Sequence, residues 1–449
     1  ACRFFTANRP LSYPGIPTAL ETKRFRKHLW KSQRNQRKGI APMTPDFNWD
    51  KGIWDSGRTH DRVRVCIAGD WAPIRKFAPI MAQDPAAVYG DLFDRLIAAD
   101  LKIFNLEAPL ARTGTLSVKS GAAFRADPGH AAALDVLSVD AVTLANNHIW
   151  DCGLPGFNQT LETLAHHKIR WTGAGRNLAV AATPLVLEKN SLKIGILNFS
   201  EGEDLTCAAP RTPGVMGWEP ALVKTQIKNL RSTVDLVVVI AHCGIEYMPF
   251  PPPYVTAAFQ NLAAAGADLV VGHHPHVPQG LQIHKNTPLF YSLGNFVFFQ
   301  PTDLLFRKQG FVLFAEMDCQ GLAGLEMVPY QIHDQGLRSL TPKEKHLFFT
   351  AFRQVSRQVQ TPGGRKQAWH ALIQYYAAHM LEPELTAIFD TLKTDPPKGA
   401  AMLRNRLTTL QHKELLTDTM TRIMANRLDE VSARAKTLVH EWMTRKTGT

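Results

Sequence analysis

The sequence contains no CxxC pair. Its six cysteines, at positions 2, 66, 152, 207, 243 and 319, are scattered, which excludes a zinc ribbon and a disulfide framework. They read as mostly buried thiols and favour a reducing compartment such as the cytoplasm. The cell envelope is the alternative if an N-terminal signal or anchor was removed. No apolar run approaches the roughly 18 residues of a membrane span. No signal-peptide pattern is visible, and no transmembrane segment is expected in this chain. Positive charge is missing where most polar motifs lie. The net charge is +12, yet residues 1–60 hold 12 Lys/Arg against 4 Asp/Glu and residues 341–449 hold 17 against 10, which leaves the middle slightly acidic. A nucleic-acid enzyme concentrates positive charge around its site, so no nucleic-acid partner is expected. The basic flanks suit an acidic polymer or peripheral contact with membrane head groups, or are simply solvated faces.

What is present points to three regions, because 449 residues exceed one small core. Residues 1–60 read as a basic N-terminal arm whose Trp49–Trp54 stretch packs on the core. Residues 61–340 alternate β-prone and helical runs, the sign of a layered α/β domain; Tyr89–Ala99 reads as one of its helices. Residues 341–449 read as an accessory helical region, with amphipathic stretches at 347–359, 368–380 and 418–439 and no evident chemistry. The middle region is organised around Asp140–Gly153, where an apolar run ends abruptly in Asn146, Asn147, His148 and Asp151. An Asn-rich turn that satisfies its own backbone is the bland explanation. Five further strand ends weigh against it: Gly69-Asp70, Asn105-Leu-Glu107, His242-Cys-Gly-Ile-Glu246, Gly272-His-His-Pro-His276 and Gly294-Asn295. Delivering ligand-type side chains at strand ends is how α/β proteins build sites. Period-two alternation puts Asn105 and Glu107 on one face.

Together with Phe124–Pro128, Gly173–Gly175 and Tyr291–Phe296, these motifs resemble the CapA family of bacterial capsule (poly-γ-glutamate) synthesis proteins, which looks like a branch of the calcineurin-type metallophosphoesterases. The likeness covers about residues 62–334. It implies a four-layer α/β sandwich of metallophosphoesterase type, here with a C-terminal helical extension. It also implies ligand roles for Asp70, Glu107, Asn147, His242, His274 and His276 toward one divalent metal (Mn²⁺, Mg²⁺ or Zn²⁺). Catalytic roles fall to Asp70, His148, His273, His274 and His276, and substrate contacts to Arg125, Asn146, Asp151, Glu246 and Asn295. Two positions depart from the phosphoesterase pattern. Ala72 stands where a His is expected, and the second motif reads Asn-Leu-Glu. A metal-free site is therefore the alternative.

Three functions follow. The first is a capsule or poly-γ-glutamate synthesis or processing enzyme acting by hydrolysis or transfer, with an acidic polymer or peptide as substrate and Arg125 and Lys119 as carboxylate clamps. The second is metal-independent acid–base chemistry such as peptide epimerisation. The third is a non-catalytic assembly factor that holds an acidic polymer on its basic flanks.

Overall fold

Two β-sheets face each other because their strands carry apolar side chains on both faces. In strand Val63–Ala72, Val65 and Ile67 join the core between the sheets, whereas Cys66 and Ala68 join the core on the outer side. In strand Leu236–His242, Val238 and Ile240 point inward and Val237, Val239 and Ala241 outward. Strands buried on both faces lose the alternation of a half-exposed strand and read as continuous apolar runs. Each large side chain so buried contributes about 1.5–3 kcal/mol of transfer free energy. This computed structural model describes residues 47–448 apart from 204 and 205, so most of the expected basic arm lies outside the described residues.

The first sheet has nine strands. Its main path runs Ile53–Asp55, Gly321–His333, Gln309–Asp318, Val63–Ala72, Leu101–Leu106, Ala141–Thr143 and Arg170–Thr172; Asn295–Phe298 pairs with Val63–Ala72, and Gly336–Ser339 with Gly321–His333. The second sheet has six strands, ordered Pro278–His284, Thr287–Leu293, Leu269–His273, Leu236–His242, Leu192–Ser200 and Leu185–Lys189. The central strands of both sheets are parallel. Helices Phe77–Gln83 and Gly153–His166 cover the outer face of the first sheet. Helices Pro220–Leu230 and Pro253–Ala265 cover that of the second. The result is the α/β/β/α layering of a four-layer sandwich.

The C-terminal region is helical. Thr341 starts the helix Pro342–Gln360 with a capping box to Glu344, which satisfies two otherwise orphaned backbone donors. That helix inserts Phe348, Phe349 and Phe352 into the core between the sheets. Trp369, Leu372, Leu415 and Trp442 from later helices extend the outer core of the second sheet. Two expectations are corrected. The stretch 418–439 is not one helix: Leu410–Met424 and Ala433–Thr444 are separated by a turn in which Asn426 has φ 52°. Nor is Tyr89–Ala99 one helix. A 3₁₀ turn, Ala87–Leu92, breaks at Gly90 (φ 53°), where a Cβ would lie 1.9 Å from the Leu337 carbonyl oxygen, and Phe93–Ile97 follows. Close approach of the last short strand, Gly336–Ser339, thus decides the local structure.

Candidate active site

The C-terminal ends of the parallel strands of both sheets point to one place, and each end turns abruptly polar there. At the first, Gly69 permits a backbone approach that no other residue tolerates: a Cβ would lie 2.0 Å from the Gly294 carbonyl oxygen. This contact brings Asn295 into register beside Asp70. Asp70 is fully buried. Its Oδ1 accepts from Asn105 Nδ2 at 2.8 Å, and its Oδ2 lies 3.1 Å from His276 Nδ1. Asn295 Oδ1 shares His276 Nδ1 at 2.8 Å. Burial pushes the Asp70 carboxyl up, but His276, His273 and Asn105 together hold it below its usual value.

Glu107 is different. It is fully buried, yet neither carboxylate oxygen accepts a hydrogen bond among the described residues. His242 Nε2 and His276 Nε2 stand 3.4 and 3.6 Å from Oε1. Burial, reinforced by the charge of Asp70, drives its pKa well above the ordinary carboxylate range. A buried polar group left unbonded costs about 1–3 kcal/mol, more when charged, so Glu107 is a group waiting for a partner. Three sets of donor atoms gather within 4.8 Å of one another: Asp70, Glu107 and His276; Glu107, His242 and His274; and Glu246, His274 and His276. Mixed carboxylate and imidazole donors suit Mn²⁺ or Zn²⁺, and Mg²⁺ where oxygens dominate. The residues therefore fit a divalent metal.

The imidazoles are held by neighbours of distinct kinds. His242 donates from Nε2 to Asn147 Oδ1 at 3.0 Å and accepts at Nδ1 from Asn105 Nδ2 at 3.2 Å; burial and four nearby histidines keep it well below its usual pKa. His274 lies 3.5 Å from Glu203. Burial opposes its protonation, but Glu203 and Glu246 carry its pKa up to about 9. His276 likewise rises to about 9, against burial, through Glu107 and Asp70. His273 is buried behind Asp70, at 3.6 Å, with neither ring nitrogen hydrogen-bonded among the described residues. Tyr247, His274 and His276 all adopt positive φ, at 68°, 95° and 57°. Such strain costs about 1–3 kcal/mol per residue and clusters at functional sites.

A second assembly adjoins the first. His148 Nδ1 lies 2.6 Å from Asp151 Oδ2. Lys119 Nζ donates to the other Asp151 oxygen at 3.0 Å and to the Asn147 carbonyl at 2.7 Å, and the Phe124 amide donates to Asp151 Oδ2 at 2.7 Å. Phe124 stacks on the His148 ring with centroids 4.1 Å apart. Burial and Lys119 depress the His148 pKa despite Asp151. The imidazole is thus neutral, fixed at Nδ1, with Nε2 left for a substrate. Ser117, Lys119, Asn147, Trp150, Asp151 and Thr206 contribute to the lining of an adjoining cavity of about 220 Å³.

Two expected substrate residues hydrogen-bond the protein's own backbone. Arg125 is exposed and donates to the Gly114 carbonyl, tying two loops together. Asn146 is fully buried and spends its side chain on structure, donating to the Leu106 carbonyl at 2.8 Å and accepting from the amides of His148 and Ile149. The bland explanation of the Asn-rich turn therefore holds for Asn146. Asp151 orients His148, Glu246 faces His274 and His276, and Asn295 positions His276. Lys119, expected as a carboxylate clamp, instead braces Asp151.

Residues to which the sequence assigned no role also enter. Asn105 links Asp70 to His242. Strand Leu192–Ser200 runs parallel to Leu236–His242 and ends in Glu201-Gly-Glu203; the strand-end rule that found the other motifs would have found it. Gln411, at the start of helix Leu410–Met424, donates its Nε2 to Glu203. The C-terminal helices therefore reach the shell behind His274.

The model of the family described as bacterial capsule synthesis protein PGA_cap matches residues 64–300. The PGA biosynthesis protein CapA of Bacillus subtilis is 34% identical over 192 residues, 42% of this chain and 50% of the relative. The capsule biosynthesis protein CapA of Bacillus anthracis is 32% identical over 205 residues, 44% and 49%. The chain spans about half the length of these curated relatives. Among solved structures, a 5'-nucleotidase precursor from Thermus thermophilus aligns with 65% of this chain and 58% of its own, at 12% identity and a TM-score of 0.39.

Proposed function

The chain belongs to the bacterial capsule synthesis protein family, and from that premise we propose that it is a metal-assisted enzyme that cleaves or transfers γ-glutamyl amide bonds in an acidic polymer or peptide. The observation that carries this reading is the buried, unbonded Glu107 carboxylate facing His242 and His276. Asp70, Glu107, His242, His274 and His276 would hold the ion, with Asn147 beside them. The chemistry such an ion supplies is polarisation of the reacting carbonyl and activation of water.

The chain's own residues do the rest. His148, neutral and fixed by Asp151, takes a proton at Nε2 from the attacking water or acceptor and returns it to the leaving nitrogen. A positioned base of this kind contributes about 10²–10⁴-fold. Lys119 keeps Asp151 ionised and in place, so His148 presents one tautomer. Ala72 is fully buried and offers no donor; Glu246 joins His274 and His276 in its own donor set, so the cluster does not depend on a side chain at position 72.

The test is incubation of the purified protein with Mn²⁺ and poly-γ-glutamate, followed by chain-length analysis and titration of new amino termini. Shortened or transferred chains with wild type and none with His148→Ala are expected. An unchanged polymer under every metal condition would remove the reading. Metal-independent acid–base chemistry rests on the Asp70–His276 contact at 3.1 Å; turnover that survives EDTA would favour it.

A further inference from the structure

Above the metal-ligand cluster stand two arginines that have no counter-ion among the described residues. Arg307 lies over the Tyr247 ring at 3.7 Å. Among the described residues it makes no ion pair and no side-chain hydrogen bond. Burial accordingly pulls its pKa down, with only partial relief from Tyr247 and Glu246. Stacking occupies the face of a guanidinium and leaves its N–H edge for planar acceptors. Arg75 is exposed and stands beside two aromatic rings that touch the site. Its Cζ lies 5.3 Å from the Phe124 ring and 5.9 Å from that of Phe298. Phe124 stacks on His148, and Phe298 meets His276 edge-on with centroids 5.0 Å apart. Arg75 donates one N–H to the Phe299 carbonyl at 3.0 Å and makes no ion pair among the described residues. Its backbone holds φ 55°, a conformation that bulky residues rarely adopt.

Several arginines elsewhere in the described chain are neutralised. Arg58, Arg62, Arg64, Arg112, Arg231, Arg338 and Arg406 all pair with carboxylates. Arg75 is exposed and its charge solvated; Arg307 is half-buried without an ion pair among the described residues, so it gains most from a ligand that brings negative charge. Tyr247 connects the two arginines to the centre. It perturbs both of them electrostatically and sits 5.9 Å, ring to ring, from His276. Two lysines adjoin them: buried Lys308 lies over Phe299 at 3.9 Å and forms no ion pair among the described residues, and Lys76 pairs with Asp334.

We propose that Arg75 and Arg307 form a carboxylate-binding subsite that grips the free α-carboxylates of a γ-glutamyl chain beside the reacting bond. The proposal rests on the polymer substrate inferred above and specifies how this chain recognises it. It also moves the carboxylate clamp from Arg125 and Lys119 to two arginines that no strand-end motif marks. Bidentate guanidinium–carboxylate contacts are short, charge-assisted and directional, so a polymer with regularly spaced carboxylates is positioned as well as bound.

The experiment measures binding of poly-γ-glutamate of defined length, in EDTA, to wild type, Arg75→Ala/Arg307→Ala, Arg307→Met and Asp70→Asn/His276→Ala. Arg307→Met keeps an apolar stem on Tyr247 and removes only the charge; thermal unfolding checks that each variant is folded. Expected are at least about tenfold weaker binding in the double arginine variant, a smaller loss in Arg307→Met, and a shallower salt dependence in both, as screening of fewer charges demands. Retained binding by Asp70→Asn/His276→Ala would show that the subsite stands even if no turnover of the polymer is found. Binding by the double arginine variant equal to wild type would overturn the subsite and leave the proposed reaction untouched. No binding by wild type would overturn the subsite as well.

Discussion

Asp318 and Glu107 are both fully buried carboxylates, and they are treated in opposite ways. Asp318, at the hairpin joining Gln309–Asp318 to Gly321–His333, receives Arg58 bidentately at 2.7 and 3.1 Å and also the Gln320 amide at 2.8 Å. Glu107, at the end of a central parallel strand, receives no hydrogen bond among the described residues. The Asp318 cluster completes the fold. The Glu107 cluster leaves free energy unspent inside the fold, which a ligand recovers on binding. Burial alone therefore does not separate a structural carboxylate from a functional one; the state of its oxygens does.

The largest expected effect breaks the structural half of this comparison. Arg58→Ala strands the Asp318 charge and should cost about 3–5 kcal/mol of stability, measured by urea unfolding in EDTA. Glu107→Gln, under the same conditions, should cost nothing or stabilise, because a buried carboxyl that accepts no hydrogen bond among the described residues is replaced by a neutral amide of the same shape. A loss above about 2 kcal/mol for Glu107→Gln would show that the carboxylate is already satisfied. The next effect lies in the adjoining assembly: His148→Ala should lower kcat/KM on the γ-glutamyl polymer about 10²–10⁴-fold without loss of metal. Loss of metal in that variant would place His148 among the ligands instead.

The smallest effect concerns a paired acid at the periphery. Glu344 caps helix Pro342–Gln360 and pairs with Arg338, which with burial opposing brings its carboxyl down to about 2, against an ordinary 4.5. A depressed pKa contributes stability in full above about pH 4.5, and that contribution is lost as the pH falls toward about 2. Both partners are about a third exposed, so solvent screening reduces the effect to about 0.5–1 kcal/mol. Glu344→Gln should lower stability by this amount at neutral pH and by nothing once the carboxyl is protonated. An equal loss at both pH values would mean that the cap, not the charge, is responsible.

Much of the candidate site was legible because ligand-type residues interrupt apolar strands. Asp70, Glu107, Asn147, His242, His274 and His276 each follow such a run, and the fold brings the strand ends together. Period two also put Asn105 beside Glu107. Residues on irregular backbone carry no such signal. Phe124–Pro128 marks Arg125 by motif alone, and nothing in the local pattern says that its side chain turns to Gly114. Arg75 and Arg307 become visible only when their missing counter-ions are seen. Gln411 meets Glu203 across 208 residues of sequence, a contact that periodicity cannot report. The amphipathic spacing over 418–439 survives a turn marked by Asn426 in the left-handed region, so periodicity does not report the break between the two helices.

Metal stoichiometry tests the central claim most directly. Protein purified without chelator, dialysed and analysed by elemental mass spectrometry, should carry about one or more equivalents of Mn, Zn or a similar divalent ion. Glu107→Gln and Asp70→Asn/His276→Ala should carry less than about a tenth of that. Wild-type protein that remains metal-free after reconstitution would contradict the account and leave Glu107 without its partner.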